Sequence, residues 1–191
     1  MRPATRPLFW TAAVVTVLAL PTASRAQQPL DPVQVSARTT EADRLDAQAA
    51  AYEETGSRRA WSKAAGLREK AAGLRTPEDP RAAKSLETAA LIRHALNQRS
   101  EAIGLMRRAG DHAIARGDVY RAATAYVNVA FLAAEMRDAE RMREYAAKGS
   151  LLMHSPLLSA PQRESLQRSL AESPSPARQQ VAEAIAATRA P

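Results

Sequence analysis

Cysteine is absent from all 191 residues, which excludes disulfide staples and a lipid-modified N-terminal cysteine. A domain large enough to build its own core does not need disulfides, even in an oxidising compartment. Aromatic residues are scarce, with two Trp, four Tyr and two Phe. A nucleic-acid surface wants stacking aromatics beside a clustered basic stripe. No run of five like charges exists, and opposite charges are interspersed, as in Arg137-Asp138-Ala139-Glu140-Arg141. Such mixing marks a solvated helix face, so no nucleic-acid partner is expected.

The residues of chemistry are equally sparse. The seven glycines are scattered, mostly at breaks, and build no phosphate-cradling loop. His94, His112 and His154 have no second ligand at zinc-like spacing, and no H-E-x-x-H occurs. His94 falls near a helix end, where a cation complements the helix dipole. No G-x-S-x-G elbow is present. Glu53 and Glu54 are adjacent and point different ways on a helix. The chain therefore reads as non-enzymatic, with no cofactor and no metal.

What is present begins with an export signal. Arg2 and Arg6 precede the 13-residue run Leu8 to Leu20, and Ser24-Arg25-Ala26 offers small residues at the positions a signal peptidase reads. The run is shorter than the ~20 residues a spanning helix needs, and Pro21 closes it. Residues 1–26 are thus expected to be a signal peptide cleaved after Ala26, leaving no stable membrane span and a periplasmic or secreted chain of about 165 residues, enough for one domain. The formal charge of +7 then falls to +4, because Arg2, Arg6 and Arg25 leave with the signal.

Residues 27–38 contain two prolines and no helical period, and read as a flexible leader. Thr39 or Thr40 is placed to cap a first helix in which Ala42, Leu45, Ala49 and Tyr52 recur at helical spacing. Gly56-Ser57 breaks it, and a second helix follows over 58–74. Asp79-Pro80 is a cap followed by a first-turn proline. It opens a helix to about Leu96, partnered by one over about 100–116. Gly117-Asp118 ends that helix and caps the next, Val119 to Met136, which is apolar almost all round and so is packed on both sides. Asp138 caps a further helix expected to fray near Gly149, before Pro156. Ser159 and Gln162 form a capping-box pair around Pro161. Ser173-Pro174-Ser175-Pro176 forces a turn, and a last helix carrying Val181 and Ile185 is either a cap or a loose tail.

Period-two alternation is absent, so the fold is all-α, with about seven or eight helices. Residues 81–152 read as one hairpin written twice with a step of about 40 residues. Leu86 aligns with Tyr126, Ala90 with Ala130, Leu91 with Phe131, Ala102 with Met142 and Leu105 with Tyr145. A unit of this kind cannot bury its apolar face alone, so units stack and share a core.

These positions resemble the tetratricopeptide-repeat superfamily. Leu86, Ala89 and Ala90, then Ala102, Met106 and Ala109, match its large and small positions in one unit. Tyr126, Val129 and Ala130, then Met142, Ala146 and Gly149, match them in the next. The step is longer than the family's 34 residues, and Arg93 and Ala133 stand where the family carries an aromatic. The resemblance implies a short solenoid over residues 39–172, with a Pro-rich turn and terminal helix over 173–191. It further implies a concave groove for a protein or peptide partner. Lys84, Glu87, Leu91 and His94 of one unit and Thr124, Val127 and Phe131 of the next would line it.

Function is accordingly expected to be partner binding in the cell envelope, with the exposed end of a three-hairpin array open to dimerisation. The alternative is a client-binding stress chaperone. It rests on Leu158-Ser159-Ala160-Pro161-Gln162, which resembles the L-T-x-x-Q motif of small periplasmic all-helical chaperones, although a capping box explains the same residues.

Overall fold

A computed structural model of the protein describes residues 31–171 and 175–188. The expected signal peptide, residues 27–30 of the expected leader and the first half of the Pro-rich turn, Ser173-Pro174, lie outside the described residues. Among the described residues eight helices run in chain order: α1 Pro32–Glu54, α2 Arg58–Leu74, α3 Pro80–Ala95, α4 Arg99–Ala115, α5 Val119–Glu135, α6 Ala139–Met153, α7 Ala160–Ala171 and α8 Pro176–Ala187. No strand occurs among the described residues. Successive helices from α1 to α6 pack on one another as antiparallel hairpins, making a short helical-hairpin solenoid.

Local chemistry explains the boundaries. The Asp79, Asp118 and Asp138 side chains accept from the N–H of Arg81, Arg121 and Arg141, fixing the starts of α3, α5 and α6. The ends of α3, α4 and α5 share one closure. Gln98, Asp118 and Asp138 donate back to the carbonyls of Arg93, Ala113 and Ala133, across left-handed residues Asn97, Gly117 and Arg137. Asn97 and Arg137 are one repeat apart, and Gly56 holds the corresponding left-handed place between α1 and α2. The first hairpin therefore keeps the repeat geometry that its side chains obscure.

Two elements differ from expectation. The helix α1 begins at Pro32, so residues 32–38 are helical rather than a flexible leader. Asp31 caps it by accepting from Val33 N–H, with Pro32 in the first turn, the same signature as Asp79-Pro80. Thr39 and Thr40 do not cap. Their hydroxyls donate to the carbonyls of Val35 and Ser36 inside the helix. At the other end, α6 runs through Gly149 to Met153, because Gly149 is a close-packing position against Val127 rather than a break.

The matched repeat positions form the core. Leu86, Ala89, Ala90, Ala102, Met106, Ala109, Tyr126, Val129, Ala130, Ala146 and Gly149 are buried, and Met142 is half-buried. The helix α5 is central, touching α4, α6, α7 and α8, which is why it is apolar on nearly every side. A separate small cluster of Ala42, Leu45 and Ala71, backed by Leu67 and Leu74, joins α1 to α2.

Candidate functional site

The first helices of the second and third hairpins, α3 and α5, are bridged at two levels. Arg121 donates to Glu87 at 3.1 Å near one end, and His94 Nε2 lies 2.8 Å from Glu135 Oε2 near the other. Arg99 approaches the same Glu135 carboxylate at 3.7 Å. Between the bridges Leu91 is 60 % exposed. Burial pushes the Glu87 carboxyl above the usual range, outweighing the attraction of Arg121.

Three of the seven expected groove residues come together. Leu91, His94 and Phe131 line one cleft of about 150 Å³, with Asn128 and Glu135 from α5, Ser175 just before α8, and Ala177 and Arg178 from its first turn. Phe131 belongs to the core and is only 8 % exposed, and the Arg178 guanidinium stands over its ring, 4.8 Å from the centroid. The other four stand apart from that cleft. Lys84 is exposed, Thr124 donates to the Tyr120 carbonyl, Glu87 is tied to Arg121, and Val127 is turned to α6 against Gly149.

Sequence reasoning did not anticipate Glu135, Asn128 or Arg178 at this place. The pairing of His94 with Glu135 spans 41 residues, close to the repeat step, so the offset itself was the available clue. Nothing local signalled Arg178, which arrives by the return of the chain through α7.

A larger groove of about 730 Å³ lies along α1 and α2, lined by Tyr52, Leu67, Lys63 and Lys70 among others. The Lys63 ammonium stands 5.3 Å from the Tyr52 ring centroid. It is bounded by one hairpin and gathers none of the repeat's groove positions, so its size does not make it the better candidate. Among the described residues, no group of three or more His, Asp or Glu is placed to hold a metal. No helix among them is long and apolar enough to cross a membrane.

The Ser159–Gln162 pair forms the capping box. Ser159 N–H donates to Gln162 Oε1 at 3.0 Å and Gln162 N–H donates to Ser159 Oγ at 3.4 Å, while Leu158 is buried. That geometry accounts for the residues of the chaperone-like motif. His154 has a structural contact too, its Nδ1 lying 2.7 Å from the Ser150 carbonyl at the end of α6. The fold is that of an all-α helical-hairpin solenoid, consistent with a tetratricopeptide-like array. No protein-family model, no curated protein and no solved structure matches this chain.

Proposed function

We propose that the protein is a non-catalytic interaction scaffold of the bacterial periplasm that grips a peptide segment or helix of another envelope protein in the cleft between α3 and α5. The observation that carries this reading is the convergence of Leu91, His94 and Phe131, from two successive repeats, on one cleft. An exposed Leu91 flanked by the His94–Glu135 and Arg121–Glu87 pairs is an apolar anchor with a polar rim, the arrangement of binding surfaces in general. The export signal read in residues 1–26 supports the compartment.

The test is crosslinked capture from a native envelope fraction, comparing the intact chain with Leu91→Asp and with Leu91→Asp/Phe131→Asp. Leu91 is exposed enough to accept a charge without loss of fold, so the single variant keeps the result readable. One dominant partner should be retained by the intact chain and weakened about tenfold or more by Leu91→Asp, with the helical circular dichroism unchanged. Retention of the partner by both variants would place the binding surface elsewhere. A diffuse set of unfolded clients would transfer the assignment to the chaperone class.

A further inference from the structure

We infer that the face formed by α5 and α6 is a receptor for an amphipathic helix of the partner, and that α8 is a resident helix occupying that place until the partner takes it. This rests on the scaffold reading and goes beyond it, adding to the α3/α5 cleft the adjoining α5/α6 face that the first turn of α8 borders.

The placement of α8 is the first support. Its first turn lies beside Ala134, Ala139 and Met142, and at its far end Thr188 Oγ1 donates to Ser150 Oγ at 2.7 Å. It therefore runs in the same direction as α6, laid across the end of the array. The alternation of hairpins ends beneath it. Second, the attachment rests on few side chains. Val181 and Ile185 are its buried side chains, whereas α5 buries ten. Half-buried Ala184 packs beside them, and the Arg178 guanidinium over Phe131 and the Thr188–Ser150 hydrogen bond add polar ties.

Third, the fit fails at one end. Beside Ser175, Ala177 and Arg178 lies the cleft of about 150 Å³, and a wider one of about 500 Å³ lies beside Pro176 and Gln180. Small side chains at Ser175 and Ala177 leave Leu91 exposed and Met142 half-buried, and each unfilled gap forfeits dispersion energy. Yet α5 is apolar all round, so the surface under α8 needs a cover.

These features describe the occupant that fits better. It is a helix of three turns or more with a large apolar residue where Ala177 stands. Further apolar residues follow four and eight positions on, where Val181 and Ile185 stand. A cation next to the first anchor would lie over Phe131 and near Glu135, as Arg178 does. Recognition by anchors four residues apart on one helix face is the helix-in-groove mode.

Two measurements on the full chain decide the matter. Native-state hydrogen exchange of the unaltered protein should show α8 amides exchanging about a hundredfold faster than those of α5, because α8 opens as its own unit. The probe for binding is a labelled peptide of residues 175–188 carrying Ala177→Leu. It should bind the full-length Val181→Asp/Ile185→Asp variant about tenfold more tightly than the unaltered chain, whose face is already filled. Adding Phe131→Asp should abolish that binding. Exchange of α8 in step with α5, or a folded variant that ignores the peptide, would overturn the inference. Should the variant not fold, excess peptide added to the unaltered chain should speed α8 exchange further by taking its place, and α8 exchange indifferent to the peptide would overturn the inference. A dimer formed through traded α8 helices would also overturn it, by making a second copy the occupant. Peptide binding that persists while Leu91→Asp leaves envelope capture untouched would instead count against the α3/α5 cleft reading, so the two failures separate.

Discussion

Arg81 and Arg121 stand in the first turns of α3 and α5, and each reaches both the capping aspartate of its own helix and a carboxylate on the first helix of the preceding hairpin. Arg81 lies 2.8 Å from Asp79 and 2.8 Å from Asp43, while Arg121 lies 3.5 Å from Asp118 and 3.1 Å from Glu87. What surrounds these pairs differs. Beside Arg81, the Arg75 side chain is only 2 % exposed and meets Asp43 at 2.9 Å, Asp46 at 2.6 Å and Ser85 Oγ at 2.8 Å. Hydrogen bonding from Arg75, helped by Arg81, holds the Asp43 carboxyl below its ordinary range. Near Arg121 the continuous core of Tyr126, Val129 and Tyr145 fills the interior, and burial pushes Glu87 the other way. The same junction is thus closed by an ionic cluster in one place and by apolar packing in the other. Alanine-rich faces let helices approach but bury little area per residue. Where the helices offer only Ala42, Leu45 and Ala71 with partial cover from Leu67 and Leu74, charges settle which surfaces meet.

The largest way to break this comparison is Arg75→Met. It takes the buried cation away from Asp43, Asp46 and Asp79, leaving Arg81 to the first and last and Arg68 to Asp46, so the cost should lie toward the lower end of the about 3–5 kcal/mol that follows loss of a buried partner. Because the loss falls on the first junction, hydrogen exchange should show α1 and α2 deprotected while α4, α5 and α6 keep their protection. Adding Asp43→Asn and Asp46→Asn should recover most of the loss, since removing both sides of an ion pair leaves little unpaired charge. Unchanged protection of α1 would mean that the small apolar cluster alone holds the hairpin.

A smaller effect tests the other junction. A Cβ at Gly110 would lie 2.6 Å from Tyr126 Cε1, and that ring is fixed by Tyr145, at 5.6 Å between centroids, and by the 2.8 Å bond from its hydroxyl to Asp111. Overpacking of this kind costs about 1–3 kcal/mol, against a gain in helix propensity of about 1 kcal/mol. Gly104, on the same helix, has nothing within 4 Å of its would-be Cβ. Gly104→Ala should therefore raise the melting temperature and Gly110→Ala lower it. Equal shifts in the same direction would show that backbone propensity, and not the close approach of α4 to Tyr126, governs both positions.

Local signals made most of the fold legible in the residues. The caps Asp79, Asp118 and Asp138 and the left-handed Gly56 and Gly117 act within one turn, so the chain announces them in place. Asp31-Pro32 carried the same signal but lacked an apolar stripe, since Val33 stays exposed and Val35 is half-buried. Periodicity alone passes over a helix of that kind. Of the candidate cleft, Leu91, His94 and Phe131 were among the positions that the tetratricopeptide resemblance implied, whereas the burial of Arg75 and the arrival of Arg178 over Phe131 depend on contacts between distant segments. Arg75 in particular reads as an ordinary cation after a helix end until α1 and α3 close over it.

Acid should separate the two junctions by sign. The Asp43 carboxyl is lowered chiefly by its bond from Arg75; for Asp79 burial works upward, but the bonds from Arg81 prevail and the net shift is again downward. Groups of this kind stabilise the fold above the ordinary carboxylate pKa and lose that contribution as the pH falls through their lowered folded values. Glu87 behaves oppositely. Its raised folded value means that its contribution is complete below the ordinary range and is lost as the pH rises through the folded value. Lowering the pH from neutral to about 4 should therefore relieve the α3–α5 junction first, and the α1–α3 junction should loosen only as the pH falls further, below the ordinary carboxylate range. Hydrogen exchange across a pH series, normalised to intrinsic rates, should show α1 losing protection before α5. Glu87→Gln should stabilise the chain slightly at neutral pH and leave the loss at α1 unaltered. Simultaneous loss of protection in α1 and α5 would show that the array unfolds as a single cooperative unit, in which the ionic junction is no weaker to acid than the apolar one.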